Sequence, residues 1–65
     1  MFKAYTHKGI FEIPVNNIID ACITTTSSNY VKDGEKVLFQ HDYDNRTYVC
    51  LVVDNTIRIL RKVCL

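Results

Sequence analysis

Three side chains in the C-terminal half of the chain carry functional groups that could act together: the imidazole of His41, the phenol of Tyr48 and the guanidinium of Arg61. A fixed cation beside an imidazole and a phenol can bind a phosphate or a carboxylate. On a sheet, the same groups could act as base, hydrogen-bond donor and transition-state clamp in phosphodiester cleavage. The structural alternative is a cross-strand tyrosine–arginine pair at the edge of the core, with the histidine half buried.

Two Asp-Asn pairs decide whether these side chains meet. Asp44-Asn45 and Asp54-Asn55 both consist of residues that tolerate the positive φ angles of tight hairpin turns. Three segments rich in β-branched and aromatic residues surround them: residues 37–43, 46–53 and 56–63. If both pairs are two-residue turns, the three segments form an antiparallel meander whose register can be counted.

The counted register places four rows of side chains on one face of the meander, because residues opposite each other share a face. The rows are Val37, Val52 and Ile57; Phe39, Cys50 and Ile59; His41, Tyr48 and Arg61; and Tyr43, Arg46 and Val63. We expect the two apolar rows to form the core. The third row then lies where the core ends, and the tyrosine and arginine of the fourth row extend a polar binding site.

The other face of the meander is predicted to be mixed, with an apolar strip of Val49, Leu51 and Leu60. The middle segment, residues 48–53, is apolar on both sides, which predicts that both of its faces are buried. The N-terminal strands or a second subunit could cover this mixed face.

The N-terminal half predicts two short strands and a helix. Phe2–Thr6 and residues 10–13 alternate as strands do, around a glycine turn. Residues 14–24 carry one apolar stripe at helical spacing, and the threonine and serine run that follows is expected to end the helix. The prediction is a single α+β domain over residues 1–65. It is a small antiparallel sheet, made of an N-terminal hairpin and a C-terminal three-stranded meander, with one short amphipathic helix packed on it.

Size, charge and cysteine content limit the possible functions. A chain of 65 residues buries a small core, so a homodimer through the mixed face or an edge strand is expected to add stability. Cys22, Cys50 and Cys64 are interpreted as reduced core residues of a cytoplasmic protein. Their spacing predicts no metal site, and no cofactor is expected. A net charge of +1 makes DNA an unfavourable partner but leaves RNA open, and no segment predicts a signal peptide or membrane span.

One part of the chain resembles a known family. The predicted helix followed by a three-stranded meander that ends in Ile57-Arg58-Ile59 and Arg61 resembles the C-terminal part of RelE/BrnT-like ribonuclease toxins. In that family a late strand reads like Ile-Arg-Ile and ends in an arginine; Tyr48 and His41 match in type. The resemblance spans about half the chain, and the family's leading helices have no counterpart in residues 1–13. It implies RNA cleavage with His41, Tyr48 and Arg61 as catalytic residues.

Two hypotheses for the function follow. The first is a small non-enzymatic binding or inhibitor protein, of the type that phages and mobile elements encode. It would act by sequestering a partner protein or an anionic ligand, with His41, Tyr48, Arg61, Tyr43 and Arg46 as the binding residues. The alternative is a compact RelE/BrnT-like ribonuclease toxin.

Overall fold

The computed structural model describes residues 1–63 and contains one helix and one five-stranded antiparallel sheet. The elements are β1 (Phe2–Thr6), β2 (Gly9–Ile13), α1 (Ile18–Ser27), β3 (Lys36–His41), β4 (Thr47–Val53) and β5 (Thr56–Val63). The spatial order is β2-β1-β3-β4-β5. The predicted α+β fold, an N-terminal hairpin and a C-terminal meander with one helix, is confirmed. The prediction for Cys64 falls outside the described residues.

The N-terminal hairpin extends the meander instead of covering it. β1 pairs with β3, so that Phe2 lies opposite His41 and Ala4 lies opposite Phe39. The N-terminal hairpin and the meander are therefore part of one sheet with two edge strands, β2 and β5. The prediction that β4 is buried on both faces was wrong, because Val49 and Leu51 remain only half buried.

Helix α1 begins and ends later in the chain than its apolar stripe predicts. It begins at Ile18 because the side chain of Asn17 caps it and accepts hydrogen bonds from the backbone N–H groups of Ile19 and Asp20. It continues to Ser27 because the threonines bond to the helix itself: the Thr25 hydroxyl donates to the Ala21 carbonyl at 2.7 Å. The helix therefore ends inside the predicted threonine and serine run, but at Ser27 and not at the predicted residue 24.

The core lies between α1 and one face of the sheet. Its buried side chains are Phe2, Ala4, Ile13, Ala21, Cys22, Val37, Phe39, Tyr48, Cys50, Val52 and Ile57. Five of the six meander residues predicted for the core are among them, but Ile59 is 40% exposed. The helix residues Ile19 and Ile23, which the sequence places on the buried stripe, are each 57% exposed. The helix therefore packs through its small residues and leaves these isoleucines in solvent.

The hairpin between β4 and β5 forms as predicted near its turn. Asp54 and Asn55 have φ angles of 51° and 60°, and the predicted pairs Val53–Thr56, Val52–Ile57 and Cys50–Ile59 are all present. Beyond them a β-bulge shifts the register by one residue, so that Val49 lies opposite Arg61 and Tyr48 opposite Lys62. A one-residue shift exchanges the faces of the residues that follow.

The hairpin between β3 and β4 has a longer loop than predicted. The backbone N–H of His41 donates to the carbonyl of Arg46 at 2.8 Å, and the N–H of Asn45 donates to the carbonyl of His41 at 3.1 Å. The loop thus contains Asp42–Asn45 instead of Asp44-Asn45 alone, and Phe39 lies opposite Tyr48 instead of Cys50. Because this shift is two residues, the predicted faces of β3 and β4 are kept.

Candidate binding surface

The predicted row of His41, Tyr48 and Arg61 does not form. Arg61 lies opposite Val49, whereas Tyr48 lies opposite Lys62, and neighbouring residues of β4 point to opposite faces of the sheet. The bulge at β5 is the physical reason, since it adds one residue between Ile59 and Arg61. Arg61 therefore lies on the face opposite to the histidine and the tyrosine. The prediction that these three side chains converge is corrected accordingly.

The imidazole of His41 makes contacts inside the protein. His41 is 6% exposed, and its ring meets that of Phe2 edge-on with centroids 4.8 Å apart. Its Nδ1 accepts a hydrogen bond of 3.2 Å from the backbone N–H of Tyr43, which places the ring proton of a neutral imidazole on Nε2. His41 thus holds the β3–β4 loop against β1.

The cation of Arg46 already has an anionic partner. Its Nε lies 2.6 Å from Oδ2 of Asp44, and its Nη1 lies 3.5 Å from the Tyr48 hydroxyl. The hydrogen bond from the Arg46 side chain is the main reason why the pKa of Asp44 lies below its usual range. The carboxylate that pairs with Arg46 is therefore that of Asp44, in the same loop. Tyr43, beside it, is 89% exposed, and a role of these residues in ligand binding stays a prediction.

A carboxylate that the sequence analysis did not single out connects the β1–β2 turn with the segment before β3. Glu35 directly precedes β3, and its side chain is only 5% exposed. It accepts hydrogen bonds from the His7 ring at 2.7 Å, the His7 backbone N–H at 2.8 Å and the Lys32 backbone N–H at 2.7 Å. Burial by itself raises the pKa of this carboxyl, but these hydrogen bonds outweigh it and lower the pKa. Glu35 thereby ties the β1–β2 turn to the start of β3.

The face of the sheet opposite α1 has no covering element among residues 1–63; we call it the open face. One row of side chains crosses all five strands on it: Ile10, Tyr5, Leu38, Val49 and Arg61. A parallel row contains Lys36, Leu51 and Arg58, and another contains Glu12, Lys3, Gln40, Thr47 and Val63. The Tyr5 hydroxyl donates to Oε1 of Gln40 at 3.1 Å. The open face thus combines an apolar row with polar neighbours.

Charge is distributed unevenly between the two sides of the protein. Lys3, Lys36, Arg58 and Arg61 are exposed on the open face, and Glu12 is the single acidic residue that the described strands place there. The whole chain has eight basic and seven acidic residues, so the positive charge of this face is offset elsewhere. The net charge of +1 does not show this asymmetry, because it sums over the whole chain. The sequence analysis placed Val49 and Leu51 on this face, but it did not predict the contribution of β1 and β2.

An apolar groove lies on the other side of the sheet, between α1 and β5. Its volume is about 280 Å³. It is lined by Ile19, Cys22, Ile23, Thr26, Asn55, Thr56, Ile57 and Ile59. The exposed isoleucines of the helix therefore form one wall, and the edge strand β5 forms the other.

Within residues 1–63, no group of three or more histidine, cysteine or acidic side chains is arranged to hold a metal ion, and no helix has the length and apolar character to cross a membrane. Cys22 and Cys50 are buried as free thiols. Comparison of the chain with protein-family models, with curated proteins and with solved structures found no match.

Proposed function

We propose that this protein is a small non-enzymatic binding module whose open face takes an acidic surface of a partner protein and so sequesters that partner. The observation that carries the proposal is the placement of four exposed cations, with one acidic residue, around an apolar row on an uncovered sheet face. Protein interfaces combine an apolar centre with a polar rim in this way. Complementary charge at the rim speeds association and selects acidic partners.

A protein partner fits the open face better than a nucleic acid does. The exposed apolar groups of the face are aliphatic: Ile10 is 63% exposed and Leu38 is 39% exposed. Aliphatic side chains pack on other apolar side chains, whereas single-stranded RNA is held mainly by stacking of bases on several aromatic rings. Tyr5 is the one aromatic residue that the described strands place on this face.

The ribonuclease alternative has no comparable support from the geometry. Its three catalytic candidates lie on two faces of the sheet, and one of them, His41, is buried with Nδ1 already hydrogen-bonded. A general base must reach the proton that it removes. We therefore base the proposed function on the open face alone.

The test uses a displayed library of random peptides, selected on the wild-type protein. We expect the selected peptides to be rich in acidic and aliphatic residues. Arg61→Glu should weaken their binding at least about tenfold, which corresponds to about 1.4 kcal/mol. Lys62→Glu is the matched control, because it makes the same charge change on the same strand but on the side of Tyr48.

Equal losses in both variants would mean that net charge alone controls binding, and would refute the proposal. The proposal would also be refuted if the selected peptides bound Arg61→Glu as tightly as the wild-type protein. A single-stranded RNA oligonucleotide is tested in parallel. If it binds through Arg61 and the peptides do not, the occupant is RNA and the protein-binding proposal is wrong; cleavage of that oligonucleotide would favour the ribonuclease alternative.

A further inference from the structure

The edge strand β5 presents unused backbone hydrogen-bonding groups. Both backbone groups of Val52 in β4 bond to the chain just before β3. The Val52 carbonyl accepts from the backbone N–H of Gly34 at 2.8 Å, and the Val52 N–H donates to the backbone carbonyl of Glu35 at 3.0 Å. Its partner Ile57 therefore belongs to a pair without hydrogen bonds between β4 and β5. The N–H and carbonyl of Ile57 point away from the sheet, and by the same alternation so do those of Ile59.

The two residues with outward backbone groups also line the groove with their side chains. Ile57 and Ile59 form the sheet side of the groove, and Ile19 and Ile23 form the helix side. A strand added beside β5 would place every second side chain over this groove and the side chains between them on the open face. Apolar residues suit the first set of positions, because the exposed isoleucines would be covered.

The charges of β5 indicate which residues suit the positions of the added strand that lie on the open face. Arg58 and Arg61 point to the open face, and β5 contains no acidic residue in its eight positions. Acidic side chains on the added strand would lie next to these arginines, and opposite charges across neighbouring strands are favourable. A second copy of β5 would instead bring like charges together, as the cations of natural edge strands do to prevent self-pairing.

We infer that β5 accepts an extended segment of a partner protein as a sixth strand, and that acidic and aliphatic residues alternate in this segment. The inference rests on the proposed function, because it assumes that the cations of the open face bind acidic residues of the partner. The acidic residues contact Arg58 and Arg61, and the aliphatic residues cover the groove beside α1. Main-chain hydrogen bonds to Ile57 and Ile59 supply affinity that does not depend on the partner's side chains.

The experiment measures binding of synthetic peptides by fluorescence anisotropy. The probe is a peptide in which glutamate and valine alternate, and its control has the same composition with the glutamates and valines in two blocks. We expect the alternating peptide to bind at least about tenfold more tightly, a difference of about 1.4 kcal/mol. Binding should also protect the amides of Ile57 and Ile59 from hydrogen exchange.

Two variants separate strand addition from simple apolar contact. Ile59→Pro removes an outward N–H that the native sheet does not use, whereas Ile59→Ala shortens the side chain and keeps that N–H. The proline variant should lose binding and the alanine variant should keep most of it. Should the proline variant fail to fold, an alternating peptide with N-methylated amides makes the same test on the wild-type protein. Loss of binding on methylation then supports strand addition, and unchanged binding refutes it.

The remaining outcomes distinguish the two proposals. Equal binding of both peptides, sensitive to Arg61→Glu but not to Ile59→Pro, refutes strand addition and leaves the open-face proposal standing. If Ile59→Pro abolishes peptide binding and Arg61→Glu leaves it unchanged, the open-face proposal and the acidic character of the strand are refuted. Self-association that Ile59→Pro abolishes would show that the occupant is a second copy of the chain, and would overturn the inference.

Discussion

Replacement of Glu35 by glutamine tests whether one buried carboxylate holds the β1–β2 hairpin against the three-stranded meander. The carboxylate accepts three hydrogen bonds, from two backbone N–H groups and one imidazole, at 2.7–2.8 Å. Glutamine keeps the shape of the side chain but replaces one acceptor oxygen by an NH₂ group, which faces a donor. A hydrogen bond to a charged group contributes about 1.5–3 kcal/mol. We therefore expect Glu35→Gln to lower the free energy of unfolding by about 2 kcal/mol, and the melting temperature by about 10 °C.

The destabilisation should depend on pH in a defined direction. The pKa of Glu35 in the folded protein lies below its ordinary value of 4.5, so the unfolded chain takes up the proton first as the pH falls. The contribution of Glu35 is fully present above that ordinary value and is lost as the pH falls through the folded-state pKa. The difference between wild type and Glu35→Gln should therefore shrink as the pH falls through the folded-state pKa of Glu35.

The assay is urea unfolding followed by circular dichroism over a series of pH values. Comparison with the glutamine variant cancels the contributions of the other carboxylates. Glu12→Gln serves as control, because Glu12 is exposed on β2 and surface substitutions usually change stability by less than about 0.5 kcal/mol. A loss of stability that is the same at every pH would show that the shape of the side chain matters and its charge does not. A loss no larger than that of the control would refute the role of Glu35.

Two further predictions concern the core and the oligomeric state. Phe39→Ala removes a ring that is 0% exposed and should lower the free energy of unfolding by about 3–5 kcal/mol. So large a loss in a small domain should lower the melting temperature strongly, and a melting temperature close to that of wild type would contradict this. The homodimer remains a prediction, and because each open face carries an excess of positive charge, a dimer through that face should strengthen as salt screens the repulsion. Light scattering at low and high salt measures this, and a monomer mass at tens of micromolar under both conditions would reject the dimer.

The sequence by itself determined the features that depend on neighbours along the chain. The positive φ angles of Asp54 and Asn55 follow from residue types that tolerate them, and the alternation of apolar side chains predicted five strands and most of the core. The helix was predicted from its apolar spacing, but the side of the helix that packs on the sheet was not. Apolar spacing identifies a stripe without showing that small residues such as Ala21 allow the closest approach to the sheet.

Only the tertiary structure decided which side chains share a surface. The bulge at Leu60 moves Arg61 from the predicted row to the open face, and no local signal marks a bulge in a strand without glycine. The pairing of β1 with β3 adds Lys3 and Tyr5 to that face, and it depends on contacts between residues far apart in the chain, such as His7 with Glu35. Because side chains alternate with a period of two, a single inserted residue exchanges the faces. The composition of each strand could therefore be predicted from the sequence, whereas the set of side chains that share the open face could not.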